Sequence, residues 1–195
     1  SEPGSGARSF WLEEALARAP DDVDAHQRLA LELQRDLQGD ARGACRGDRR
    51  ECLERAFHHL GRAGEPASPR TALLEARLVE LSDGARAAED RLAARCGAFP
   101  ADEACARALV ALALKNQSER LPAAVRALIA AGCSTRERCA ATHSNLGHQF
   151  AALEQWHGAQ RHFHQATQQW PTADRWRSLA NASAKLGQQV RAEDA

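Results

Sequence analysis

The six cysteines are the residues of this chain whose type and spacing most clearly suggest chemistry. They form three close pairs, separated by six, eight and five residues, at Cys45 and Cys52, Cys96 and Cys105, and Cys133 and Cys139. Six cysteines allow fifteen connectivities, and spacing alone does not select one. Sequential pairing is the simplest, because each bridge would then staple the connection between two consecutive helices. A bridge that closes a loop of about eight residues would stabilise the fold by roughly 2.5 kcal/mol in the chain-entropy model.

Two other uses of these cysteines stay open. Zinc sites favour cysteines with two to four residues between them, usually in two halves, and none of the three spacings fits. Free thiols in a hydrophobic core are the second alternative, although an even number in tight pairs argues against it. Disulfides would place the protein in an oxidising compartment.

Histidines are the second group that could do chemistry, by binding a metal or by responding to pH. Five of the eight fall in one stretch, at His143, His148, His157, His162 and His164. Residues on one helical face lie three or four apart, and no pair in this set has that spacing. A contact across a helical hairpin, for example between His148 and His157, is the remaining route to a shared site. We therefore expect surface or half-buried histidines here, and surface positions for His58 and His59.

Known catalytic motifs are absent from the sequence, which carries no nucleophile, phosphate-loop or zinc-protease motif. Its carboxylates lie at helical spacings from arginines, which is typical of surface ion pairs. We therefore predict no catalytic activity, no cofactor and no bound metal.

The overall charge is balanced, with 26 basic and 26 acidic residues. That balance favours neither nucleic acid nor an anionic membrane surface as a partner. No apolar run approaches the roughly 18 residues of a membrane-spanning helix. Residues 1–8 have the composition of a flexible tether. Because methionine is absent, we expect a longer precursor, in which a lipid anchor before Ser1 is one option.

The composition predicts helices that position these groups. Alanine, leucine, arginine, glutamate and glutamine dominate, and all favour helices. Apolar periodicity and glycine or proline breaks predict an all-α fold of about ten helices, the first with Ser9 as its N-cap. The helices are expected at 9–19, 23–37, 49–62, 71–81, 85–95, 102–115, 119–131, 136–153, 155–170 and 176–187. We expect one continuous array over 9–190 and a short tail at 191–195.

The most regular stretch runs from His143 to Pro171. From Leu146 onward it follows the spacing L-G-x2-F-x8-A-x3-F-x2-A-x4-P. It resembles the tetratricopeptide repeat, W-x2-L-G-x2-Y-x8-A-x3-F-x2-A-x4-P, with His143 in place of the first aromatic. Partial matches cover 9–37 and 174–192, and they give Trp176 a core position. The Sel1-like repeat is the rival family, because its cysteine-rich bacterial members staple each hairpin with a local disulfide.

The resemblance implies a right-handed superhelical solenoid of about five helical hairpins. The first helix of each hairpin would line a concave groove that takes an extended peptide or a partner helix. Groove-facing positions would be Gln27, Leu31, Gln34, Arg35, Ser144, His148, Arg177, Asn181 and Lys185. Asp24 and Asp174 would add acid at one rim, and Trp170 is a candidate exposed contact. The alternative for each groove position is an ordinary solvated face.

The sequence therefore predicts a non-catalytic protein–protein interaction scaffold, in the periplasm or at the cell surface of a bacterium. Its partner would be another protein or a peptide, with a larger envelope complex as the expected setting. A Sel1-like protein that binds or acts on cell-wall-related ligands is the alternative. A metal-dependent switch in the histidine-rich hairpin is a third hypothesis.

Overall fold

The protein folds as a series of helices. The computed structural model describes residues 5–39, 43–45, 47–63 and 68–193, and these contain no strand. The all-α prediction is therefore confirmed. No helix within this part is long and apolar enough to cross a membrane. The helices are α1 (Ser5–Arg18), α2 (Val23–Gln38), α3 (Arg49–Arg62), α4 (Pro69–Asp83), α5 (Ala85–Cys96), α6 (Glu103–Lys115), α7 (Leu121–Gly132), α8 (Arg136–Ala152), α9 (Trp156–Gln169) and α10 (Ala173–Glu193).

The first and last helices are longer than predicted. Helix α1 begins at Ser5, so half of the predicted tether is helical, and residues 1–4 lie outside the described part. Ser9 is therefore inside α1 and buried, and its hydroxyl lies 3.5 Å from the Gly43 carbonyl oxygen. Its predicted role as an N-cap was wrong, because helical backbone continues before it. Helix α10 runs to Glu193, into the predicted tail.

Side-chain caps fix where several helices begin. The Asp22 carboxylate accepts from the Ala25 backbone N–H at 3.0 Å and starts α2. At α3 the Asp48 carboxylate accepts from the Glu51 backbone N–H, and the Glu51 side chain accepts from the Asp48 backbone N–H. This reciprocal capping satisfies donors that the first turn of a helix leaves unpaired.

The chain divides into two compact units, Ser1–Phe99 and Pro100–Ala195. Helices α1 to α5 belong to the first unit and α6 to α10 to the second. Neighbouring helices pack against one another as hairpins, most extensively α8 with α9, α4 with α5 and α2 with α3, followed equally by α6 with α7 and α9 with α10. The predicted continuous array over 9–190 therefore contains two separately cored bodies.

The first unit packs around leucine and alanine side chains from α2, α3 and α4. Leu29 and Leu33 of α2 are fully buried and share a cluster with Ala56 of α3 and with Leu74 and Leu78 of α4. Their spacing of four residues along α2 and α4 puts them on one helical face. Burial of that face holds the hairpins together.

In the second unit, small residues allow close helix contact. Gly147 of α8 lies against the Phe163 ring of α9, where an added Cβ would come within 2.6 Å of a ring carbon. Gly158 of α9 similarly faces Phe150 of α8, with a corresponding distance of 2.4 Å. The Leu-Gly-x2-Phe spacing is thus explained by packing, since each glycine makes room for an aromatic ring from the partner helix.

Candidate partner-binding surface and buried histidine clusters

The predicted partner-binding positions of the second unit lie on α8 and α10. His148, Arg177, Asn181 and Lys185 are exposed, and Ser144 is half-buried. The three α10 residues are spaced by four, so they lie along one side of that helix. Arg177 forms an exposed ion pair with Asp174 at 3.0 Å. Most of the predicted binding positions of the second unit are therefore exposed to solvent.

Arg175 joins the helices that carry these residues. Its Nε donates to the Ser144 hydroxyl at 3.4 Å, and its Nη1 donates to the Trp170 carbonyl oxygen at 2.7 Å. Gln160 of α9 also donates to the Ser183 hydroxyl of α10, at 3.0 Å. Ser144 thus helps to position α10 against α8, a role that its place on the helix surface did not indicate.

Two tryptophans flank the turn between α9 and α10. Trp170 is 46% exposed, as expected for a candidate contact, and Trp176 is 54% exposed. The prediction that Trp176 belongs to the core was wrong. Leu179 and Ala182 are the α10 residues that pack into the cluster of Ala159 and Phe163, and the Trp176 side chain lies outside it.

Most of the predicted groove-facing residues of the first unit are buried or half-buried. Gln27 and Leu31 are half-buried, and Leu31 packs against the leucine cluster. Gln34 is only 1% exposed, and its Nε2 has no hydrogen-bond partner among the described atoms. Arg35 is exposed and pairs with Glu32 at 3.2 Å. Only one of the four predicted positions is therefore open to a partner.

A histidine pair lies between α2 and α3. The Nδ1 atoms of His26 and His59 are 2.9 Å apart, and His26 Nε2 lies 2.9 Å from the Pro20 carbonyl oxygen. A carbonyl only accepts, so Nε2 of His26 carries the proton of that bond. With both rings neutral, His59 Nδ1–H then donates to the bare Nδ1 of His26. Of the two histidines expected at the surface, His58 is exposed and His59 is half-buried.

A second histidine pair lies between α8 and α9. His143 and His162 are 8% and 9% exposed, and their Nδ1 atoms are 3.1 Å apart. The His162 ring also stacks on Phe150, with ring centroids 5.3 Å apart. The cross-hairpin contact therefore joins His143 and His162. His148 packs instead against the Phe163 ring, and His157 and His164 are exposed.

Burial is the main cause of the lowered histidine pKa values in both clusters. Burial, followed by the nearby His26, His58 and Arg55, lowers the pKa of His59 to about 4. Burial, followed by His143 and Arg161, lowers the pKa of His162 to about 4, and burial lowers the pKa of His143. The imidazoles of His59 and His162 are therefore neutral near pH 7.

The two pairs occupy equivalent places in two hairpins. Positions 26, 29, 30 and 33 of α2 repeat the spacing of 143, 146, 147 and 150 of α8. Positions 56, 59 and 60 of α3, with position 63 directly after it, repeat the spacing of 159, 162, 163 and 166 of α9. The hairpins differ in their connection, which in the first unit is longer and contains the Cys45–Cys52 bridge. His26 lies three residues before Leu29, and His143 lies three residues before Leu146. This shared spacing was the signal in the sequence for both histidine contacts, and the sequence-based prediction missed it.

All six cysteines are disulfide-bonded, as predicted. Cys45 pairs with Cys52 across Cα atoms 5.6 Å apart, and Cys133 pairs with Cys139 across Cα atoms 4.0 Å apart. Cys96 and Cys105 are disulfide-bonded as well. Three pairs at disulfide distance indicate an oxidising, extracellular-type compartment.

One bridge adjoins a histidine. The sulfur atoms of Cys133 and Cys139 and a ring nitrogen of His143 all lie within 4.8 Å of one another. Cys139 and His143 are four residues apart on α8, which places them on one face. This spacing of a cysteine and a histidine was the signal in the sequence for their contact.

Comparison with known proteins gives no family for the chain, since no protein-family model and no curated protein matches it. The resemblance to tetratricopeptide repeats therefore rests on the residue spacing alone.

Proposed function

We propose that the chain is a non-catalytic interaction module of tetratricopeptide-like hairpins, about five in number, wound as a right-handed superhelix. The observation that carries the proposal is the open face of α10. This face is the row of exposed residues Trp176, Arg177, Ala180, Asn181, Ala184 and Lys185. On the opposite side of the helix, Leu179 and Ala182 pack toward α9.

The chemistry of the open face suits a peptide or protein segment with acidic and apolar side chains. Trp176 offers a large exposed aromatic surface, and Arg177 and Lys185 supply positive charge. Tryptophan and arginine are the residue types that most often dominate binding energy at protein interfaces. The positive charges select an acidic partner and speed its association, while the tryptophan contributes most of the affinity.

The compartment follows from the cysteines. Disulfides persist in oxidising surroundings. The three cysteine pairs of this chain lie at disulfide distance, which suggests such a compartment. The periplasm or the cell surface of a bacterium is the proposed location, and an envelope assembly is the proposed setting.

A pull-down with the folded, oxidised chain tests this function. The bait is compared with Trp176→Ala and with the charge reversal Arg177→Glu/Lys185→Glu. Truncating a central interface tryptophan typically costs about 2 kcal/mol or more, which is about a thirtyfold weaker Kd. We expect the partner recovered by the parent chain to be lost with Trp176→Ala, and its binding to the charge-reversed chain to be weaker and less sensitive to salt.

Arg126→Glu is the matched control, because Arg126 is an exposed arginine on α7 and is not part of the open face of α10. It should recover the same partner with unchanged affinity. Equal recovery by all variants would reject the open face as the binding surface. Recovery of nothing above background by the parent chain would reject the interaction function.

A Sel1-like protein that binds cell-wall material is the second candidate, favoured by the local bridges Cys45–Cys52 and Cys133–Cys139. Sedimentation with insoluble peptidoglycan separates the two functions. Binding of the chain to that polymer, unaffected by Trp176→Ala, would support this candidate over the first.

A further inference from the structure

The junction between α7 and α8 gathers three groups that bind metals. Cys133 follows the last residue of α7, Cys139 lies in the first turns of α8, and His143 lies one turn further along α8. The two sulfur atoms and a ring nitrogen of His143 are within 4.8 Å of one another. This is the only such group of three among the residues that the structure describes.

The backbone brings these groups together through a close helix contact. Gly132, the last residue of α7, lies against Thr142 of α8, and an added Cβ would come within 2.3 Å of the Thr142 hydroxyl. Thr142 is itself tied to its helix, since its hydroxyl donates to the Arg138 carbonyl oxygen at 3.0 Å. The end of α7 is therefore held beside the helix face that carries Cys139 and His143.

The imidazole is positioned from behind. His143 Nδ1 lies 3.1 Å from His162 Nδ1, and His162 is stacked on Phe150. Metal-binding histidines usually hydrogen-bond through their second ring nitrogen, which fixes the tautomer and the ring orientation. His143 is buried whereas both sulfurs belong to half-buried residues, so the open side of the cluster is the cysteine side.

We propose that the Cys133–Cys139 disulfide gates a zinc site formed by Cys133, Cys139 and His143. In the oxidised protein the sulfurs are bonded to each other and do not ligate. A dithiol reduces the bridge, yielding two cysteine thiols while the dithiol becomes a disulfide. Zn²⁺ then displaces one proton from each thiol and is bound by two thiolates and one neutral imidazole.

The geometry needs only a small adjustment for this. Zinc–sulfur bonds of about 2.3 Å and zinc–nitrogen bonds of about 2.0 Å put the tetrahedral sulfur and nitrogen ligands roughly 3.5–3.8 Å apart. Once the disulfide is broken, the sulfurs can separate to that spacing within the present cluster. A soft thiolate pair with an imidazole favours zinc over magnesium or calcium. The ion would also replace the cross-link between α7 and α8 that reduction removes.

The experiment uses the full chain, reduced with a phosphine and titrated with Co²⁺ under anaerobic conditions. Thiolate ligation gives an intense charge-transfer absorption, and added Zn²⁺ abolishes it by displacing the cobalt. We expect one equivalent to saturate the reduced chain and the oxidised chain to give no band. Cys133→Ser/Cys139→Ser should remove the band, and His162→Gln should weaken binding about 10- to 100-fold as a supporting residue.

Cys45→Ser/Cys52→Ser is the matched control, because it removes an equally local bridge without touching the cluster. It should bind Co²⁺ as the parent does. A band of equal strength in Cys133→Ser/Cys139→Ser, or equal affinity in His143→Gln and the parent, would overturn the proposal. Far-UV circular dichroism accompanies each titration. If reduction lowers the helix content, zinc should restore it in the parent, and failure to do so at saturating zinc would also overturn the proposal.

Discussion

His26 and His59 form a contact that tolerates one shared proton but not two. A proton on each Nδ1 would place two N–H groups head to head at 2.9 Å. The Pro20 carbonyl holds His26 in place, and that carbonyl also accepts from Arg62 at 3.3 Å. The charged groups around the pair are thus Arg55, Arg62 and Asp21, with His58 beside His59. The surroundings favour a neutral His59.

Acid should therefore weaken the first unit through His59. The unfolded imidazole has a pKa near 6.5, whereas the folded one has its pKa lowered to about 4. Between these values the unfolded chain binds a proton that the folded chain does not. The stability that neutral His59 contributes to the fold is thus fully present above about pH 6.5, and it is lost as the pH drops toward 4. Because His59 is partly exposed, we expect a loss of about 1 kcal/mol between pH 7 and 5.

Urea unfolding of the disulfide-intact protein at the two pH values measures this. His59→Gln should lose less stability on acidification than the parent, since glutamine does not titrate. His58→Gln is the control, because His58 is an exposed neighbour, and it should keep most of the parental pH dependence. Identical pH dependence in His59→Gln and the parent would contradict the prediction.

At the scale of helices, the α8–α9 hairpin depends on glycine at its contact points. The Gly147 backbone lies against the Phe163 ring, and Leu146 beside it is fully buried. Neither helix can move away without separating Ala159 from the cluster that it shares with Phe163 and Ala182. This hairpin should therefore be intolerant of even one added methyl group.

Gly147→Ala should destabilise the fold by about 1–3 kcal/mol, because the new Cβ overpacks the contact with Phe163. Gly61→Ala is the matched control in α3, where an added Cβ has no neighbour within 4 Å. Since alanine favours helix over glycine, that variant should be neutral or stabilised by up to about 1 kcal/mol. Thermal or urea unfolding decides, and equal stability of the two variants would show that the Gly147 contact is not tight.

Most helices could be predicted from the sequence because their signals are local. The leucine spacing of α2 and α4, the caps at Asp22 and Asp48, and the break at Gly39 each act within a few residues. Helix ends were less predictable, as at α1, because a helix continues wherever nothing in its own backbone stops it. Contacts between helices depend on how two faces are set against each other, which no local signal specifies.

At the scale of the whole molecule, the fold is stabilised both by disulfides and by two separate hydrophobic cores. Each unit has its own buried cluster, and local bridges close the connections from α2 to α3 and from α7 to α8. A bridge spanning six or seven residues contributes about 2 kcal/mol in the chain-entropy model. The bridges thus add covalent constraints to the connections between consecutive helices.

Thiol titration in denaturant tests this arrangement for the protein isolated from its native compartment. We expect no reactive thiol before reduction and six after it, since every cysteine is disulfide-bonded. Six thiols before reduction would place the working protein in a reducing compartment. In that case the stapled loops would have to be held by other means.

The sequence by itself determined the helical class and the hairpin character, and it favoured bridges between neighbouring cysteines, because each rests on residues close together in the chain. Tertiary structure alone decided that Gln34 is buried, that Trp176 is exposed, and that His26 meets His59 and His143 meets His162. These outcomes depend on which side of a helix its neighbours cover. The six cysteines that first suggested chemistry were read correctly as bridges. Cys139 and His143 share a face of α8 through their local spacing, whereas Cys133 reaches them because the end of α7 packs against α8.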